Sequence, residues 1–214
     1  MCDSITLEEL RGQIRGFEEE LTWANGCWSM FQRLFMSDPA DVDRMNASAR
    51  HFFMVLDNLL MHEIIASLCR ITDTPSMGKH ANLTFERLVQ AYKGQAMTDN
   101  EDEQRSFERE LDEALLATRS HMSALREMRN ARLSHLDQGK ALDRTQWAIP
   151  LPDIAAVLET LNTYATKMRL PLFGKVEQKY MDPMCRDAAT EILHLLRGKR
   201  GAAQPPQEES PPES

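Results

Sequence analysis

Arg129-Asn130-Ala131-Arg132-Leu133-Ser134-His135 places two arginines and a histidine where a helix carries its inward apolar positions. At seven-residue steps one column reads Leu111, Thr118, Leu125, Arg132, and its neighbour Leu115, Met122, Arg129, Leu136. Both guanidiniums therefore fall on the seam. An unpaired buried charge costs several kcal/mol or more. Each arginine must then snorkel to water, pair with a carboxylate, or face a second subunit or an anionic ligand. Imidazole transfers protons near neutral pH, and guanidinium grips oxyanions with paired donors, so these side chains suit acid–base work beside a negative charge.

Helical geometry limits how they cooperate. At 100° per residue, Arg129 and His135 lie about 120° apart around the axis, whereas Arg132 and His135 lie side by side. A site using both Arg129 and His135 spans a groove, completed by a frayed helix end or by a second copy of the helix.

The elements that would carry this segment are all helical. Thr6-Leu7-Glu8-Glu9 has the form of a capping box and opens a helix to about Phe35, weakened by Gly12, Gly16 and Gly26. Ser37-Asp38-Pro39 separates it from a strongly apolar second helix, stopped by Thr72-Asp73-Thr74-Pro75. Ser76 to Asn82 reads as a loop, and Thr84 to Tyr92 as a short amphipathic helix burying Phe85, Leu88 and Val89. An acidic start at Asn100-Glu101-Asp102-Glu103 suits the dipole of a long helix predicted from Glu103 to Leu136, with Gly139 as its stop. A further helix is predicted from Pro152-Asp153 to about Met168, interrupted by Pro171 and Gly174, and a last one from Pro183 to Leu196. No segment has a strand pattern. The expectation is an all-α antiparallel bundle with extra helices, one domain over residues 1–197, and a disordered acidic tail over 198–214.

Composition narrows the function classes. The 214 residues suit one domain with a real core, and 42% hydrophobic with 27% charged residues is ordinary for a globular chain. His51 to Ile71 is broken by Asp57, Asn58, His62, Glu63 and Arg70 and reads as a core helix, while Met1-Cys2-Asp3-Ser4 lacks a secretory pattern. The expected location is cytoplasmic, without membrane contact. Cys2, Cys27, Cys69 and Cys185 form no C-x-x-C pair, so neither a zinc site nor a disulfide framework is expected. The net charge of −8, three units of it from Glu208, Glu209 and Glu213, counts against non-specific coating of nucleic acid. It leaves room for a small basic cleft. Phosphate-binding glycine loops, the nucleophile elbow and H-E-x-x-H are missing, His62-Glu63 being followed by alanine at position 66.

Arg129, Asn130 and His135, with five residues between Arg and His, resemble the motif of the HEPN superfamily, in which Arg, usually followed by a polar residue, precedes His near the end of a long helix. Two further stretches resemble its abortive-infection, AbiU-type branch: Arg70-Ile71-Thr72-Asp73-Thr74-Pro75 followed by Asn82-Leu83-Thr84, and Ser134-His135-Leu136-Asp137 followed by Trp147 and Pro152-Asp153. The resemblance covers roughly residues 50 to 165. It implies a metal-independent endoribonuclease that uses no cofactor, leaves a 2′,3′-cyclic phosphate, and acts in phage defence or as the toxin of a toxin–antitoxin pair. It assigns His135 to proton transfer, Arg129 to the phosphate, Asn130 to orientation and Arg132 to the RNA backbone, with Glu63, Arg70 and Asp73 in support. The implied partners are a second copy of the chain through the motif-bearing helices, an RNA substrate, and an antitoxin or regulatory protein.

Plainer readings stand beside these. His135 suits the carbonyl end of a helix. Arg129 could pair with Glu63 or Asp57, Glu63 and Arg70 could be an ordinary salt-bridge network, and Asp73 a turn former. His121 reads as a seam or surface residue. A non-catalytic module binding RNA, nucleotide or protein would use the same basic groove, and a helical scaffold would use the arginines only as interface ion pairs.

Overall fold

The computed structural model describes residues 5–77, 80–95, 97–98, 100–130, 150–174 and 181–198. The tail from 199 onward lies outside the described residues, as does the segment 131–149.

The first helix, α1 (Leu7–Phe35), begins at the expected capping box: the Thr6 hydroxyl accepts from the Glu9 N–H, and the Glu9 carboxylate accepts from the Thr6 N–H at 2.7 Å. Its glycines do not interrupt it. At Gly16 a Cβ would stand 3.0 Å from Leu83 Cδ2, so the missing side chain permits close packing there. The second helix, α2 (Pro39–Thr72), is capped by Asp38, has proline in its first turn, and bends at Ala49, whose φ of −160° and ψ of 59° are not helical. By length and composition α2 could cross a membrane, with a window of mean hydropathy 1.5. Its Ile64, Ile65, Leu68 and Ile71 nevertheless belong to the bundle's core.

Beyond α2, a two-residue hairpin, β1 (Ser76–Met77) with β2 (His80–Ala81), occupies the expected loop and leaves the all-α class intact. Then come α3 (Phe85–Lys93), capped by the Thr84 hydroxyl, and α4 (Glu101–Met128), capped by the Asn100 side chain. The next helix, α5 (Leu151–Phe173), runs through Pro171, where the sequence suggested a stop. Proline withholds one N–H from the Lys167 carbonyl. So close to the helix end the loss is confined to the last turn, and the stop comes instead at Gly174 in the left-handed region, φ 67°, its N–H bonded to the Leu170 carbonyl at 2.9 Å. The last helix is α6 (Met181–Gly198).

Side-chain pairs fix how the helices run. Along α1 and α5, Arg11 reaches the Leu172 carbonyl and Asn25 reaches Asn162; along α4 and α5, Glu110 pairs with Lys167 and His121 with Asp153. In both sets the numbers rise on one helix as they fall on the other, which is antiparallel packing. The α1–α2 pair is antiparallel too, Glu20 meeting Arg70 and Trp23 meeting Glu63. α1 is the hub, packed against α2, α3, α5 and α6, and its Leu10, Ile14, Phe17, Leu21 and Leu34 are all within 1% of full burial. α4 reaches the bundle through α2, α3 and α5, burying Leu111, Thr118, Met122 and Leu125.

Candidate functional site

The seam column of α4 carries straight to the functional residues. Met122 and Leu125 are fully buried, and one turn later Arg129 points the same way, toward the end of α2. That end leaves carbonyls without intrahelical partners. Asp73 caps it in an extended conformation, its N–H on the Cys69 carbonyl at 2.8 Å, and Arg126 donates through Nη2 to the Thr72 carbonyl. A cation at a helix carboxyl end is favoured by the dipole. The long helix was expected to run to Leu136; regular α geometry ends at Met128, and Arg129 and Asn130 continue in a wider π-type turn. Such turns displace side chains from the regular register.

The site's centre is the Asp73 carboxylate. Arg126 Nε donates to Oδ1 at 3.3 Å and Arg129 Nη1 to Oδ2 at 2.5 Å, while Arg129 Nε donates to Asn130 Oδ1 at 3.1 Å. Arg129 thus pairs with Asp73, and not with Glu63 or Asp57 as the alternative sequence reading had it. Both arginine side chains are 27% exposed, so they are neither sealed in the core nor free in solvent. Burial works to lower the Arg129 pKa, but the hydrogen bond it donates to Asp73, together with the charges and contacts of Asp73 and Cys69, outweighs burial and raises the value. Beneath them lies Cys69, 1% exposed, whose thiol is pushed up to about 11 by burial despite the nearby arginines, and which stays a neutral, inert floor.

Glu63 and Arg70 occupy a different cluster. Arg70 donates to Glu20 Oε1 at 2.6 Å, to Glu63 Oε1 at 2.9 Å and to Ser67 Oγ at 2.8 Å, and the exposed Trp23 donates its indole N–H to Glu63 at 2.9 Å. Burial pushes the Glu63 pKa up, yet the donors Arg70 and Trp23 bring it below the ordinary value. Among the described residues no hydrogen bond or ion pair joins this cluster to Asp73. Asp73, Arg129 and Asn130 come together; Glu63 and Arg70 tie α2 to α1. Arg132 and His135 lie outside the described residues.

Four residues of the Arg70-to-Thr84 stretch now have parts. Arg70 goes to α1, Asp73 to α4, Asn82 closes the hairpin through Nδ2 to the Thr74 carbonyl at 3.1 Å, and Thr84 caps α3. Sequence reasoning missed Arg126. Its signal was available: it lies three residues before Arg129, hence on the same helix face. His121, read as a seam or surface residue, is half exposed and bonded through Nδ1 to Asp153 Oδ1 at 2.7 Å, joining α4 to the start of α5.

Compared with known families, residues 7–174 match the profile of HEPN_AbiU2, described as AbiU2. The chain belongs to the AbiU2 family of HEPN domain proteins. The match is wider than the sequence resemblance, beginning at the first residue of α1 and ending at the α5 cap, so it takes in α1 as well. No curated protein and no solved structure matches the chain.

Proposed function

We propose that this HEPN domain is a metal-independent endoribonuclease acting in abortive infection or as the toxin of a toxin–antitoxin pair. The observation that carries the reading is Arg129: a guanidinium at the end of the seam, oriented by Asn130 at Nε and held by Asp73 at Nη1. In the reaction the RNA 2′-oxygen bonds to the adjacent phosphorus and the bond from phosphorus to the 5′-oxygen breaks. The 2′-hydroxyl proton leaves to a base, and a proton reaches the departing 5′-oxygen. His135 transfers protons, Arg129 stabilises the charge on phosphorus, Asn130 holds Arg129, and Arg132 contacts the RNA backbone. The products carry a 2′,3′-cyclic phosphate and a 5′-hydroxyl. Two copies of the chain, paired through their motif-bearing helices, complete the groove between them.

A second reading is a non-catalytic module that binds RNA, nucleotide or a partner protein through the same arginines. It is favoured by the occupation of Arg129 by an internal carboxylate. Incubating wild type and His135→Ala with total RNA in EDTA, followed by end-group analysis, separates the two. Cyclic phosphate ends made by wild type and lost in the variant are the expected result; RNA bound by both proteins and cut by neither gives the site to binding alone.

A further inference from the structure

Asp73 is gripped the way a phosphate would be. One carboxylate oxygen receives Arg126 Nε and the other receives Arg129 Nη1, so two guanidiniums converge on a single planar anion. Arginine forks present donors at a spacing that carboxylate and phosphate oxygens share. We infer that Arg126 and Arg129 form a two-arginine phosphate-binding pair, and that Asp73 is the internal anion occupying it in the free protein. Arg126 then joins the binding machinery as a second phosphate contact, and the RNA side of this inference rests on the function proposed above.

Three structural features make the exchange feasible. Asp73 is the cap residue of α2, beyond its last helical turn, with a side chain 31% exposed; rotation about its first side-chain bond withdraws the carboxylate while its N–H stays on the Cys69 carbonyl. Arg126 is anchored independently of Asp73, through Nη2 on the Thr72 carbonyl, so it keeps its place when the carboxylate leaves. Arg129 is likewise held by Asn130 through Nε. Among the described residues Asp73 is the carboxylate that the two guanidiniums share, so its departure opens a seat for a phosphate within a chain of net charge −8. Free inorganic phosphate displaces the tethered carboxylate only weakly, because the effective concentration of the carboxylate is high. A phosphodiester that also gains contacts along its backbone succeeds.

A purely structural Asp73, whose work is to tie α2 to α4, gives the opposite sign when neutralised. The test uses the full chain as wild type, Asp73→Asn and Arg126→Gln. Inorganic phosphate binding is read by calorimetry, and binding of a 2′-O-methyl oligoribonucleotide, which cannot be cleaved, by fluorescence anisotropy. Asp73→Asn is expected to bind both probes about three- to tenfold tighter, because two partly exposed ion pairs no longer compete, and Arg126→Gln about tenfold more weakly, the loss of one charge-assisted contact. Unchanged or weaker binding by Asp73→Asn overturns the inference, as does the lack of any phosphate binding in all three proteins. Should Asp73→Asn fold poorly, Asp73→Ser, which keeps a polar cap, carries the same expectation. Tighter phosphate binding in a protein that cuts no RNA leaves the pair standing and removes the ribonuclease; cleavage without the affinity gain overturns the inference and leaves the ribonuclease standing.

Discussion

Two arginine–carboxylate clusters flank the last turns of α2, and they have opposite imbalances. Toward α4, one carboxylate, Asp73, is shared by two guanidiniums, Arg126 and Arg129. Toward α1, one guanidinium, Arg70, is shared by two carboxylates, Glu20 and Glu63. The first carries surplus positive charge and can exchange its internal anion for an external one. The second carries surplus negative charge, repels phosphate, and holds two helices together. An arginine's place near a motif says little about its work; the count of opposite charges around it says more.

The largest expected difference is in catalysis. Arg129→Ala should lower RNA cleavage in EDTA by about 100-fold or more, as the loss of a donor to the transition-state charge does, while Arg70→Ala should stay within about threefold of wild type. Equal losses would merge the two clusters into one site. Stability gives a smaller signal. Arg70→Gln leaves Glu20 and Glu63 facing each other and should cost about 1 kcal/mol, discounted because the side chains are partly exposed. Arg126→Gln loses its contact with the α2 carbonyl end and should cost about as much. Denaturant titration of the double variant should show the two losses adding within about 0.5 kcal/mol, since they share no partner; larger coupling would contradict the separation.

The smallest effect is optical. Glu63 has its pKa lowered from 4.5 in the folded protein, so its contribution to stability is present above that value and fades as pH falls through the lower folded one. Protonation removes the charge from the acceptor of the Trp23 indole, and the acid titration of tryptophan emission should contain a step that disappears in both Trp23→Phe and Glu63→Gln. A step surviving Glu63→Gln would assign the change elsewhere.

Local signals in the sequence located most of the fold. Thr6 with Glu9, Asp38 with Pro39, Thr84 and Asn100 each mark a helix start by the hydrogen bond their side chain makes, and the observed helices begin there. The apolar column through Leu111, Thr118 and Leu125 found the buried face of α4. Pro171 misled, because proline's effect depends on how many turns remain after it, and here one does. At the candidate site, Arg129, Asn130 and Asp73, each legible in the sequence, are joined by hydrogen bonds. Which acid would answer Arg129 was not readable, since the choice between Asp57, Glu63 and Asp73 depends on where the end of α4 crosses α2, a tertiary quantity. Arg126 lies off the two seven-residue columns and shares the face of Arg129 only through the three-residue step.

The bend at Ala49 separates the histories of the two ends of α2. Its first part is pinned by the buried Asp41, whose carboxylate takes Arg44 at 2.6 Å and Arg197, from the last turn of α6, at 2.5 Å. Its second part runs to Asp73 and the arginines. A straight rod of this length, about 50 Å, would act as a lever, and any adjustment where α6 docks would swing the far tip. With a joint about a third of the way along, each part takes its alignment from its own neighbours. The docking of α6 on Asp41 is thus kept from disturbing the geometry at Asp73.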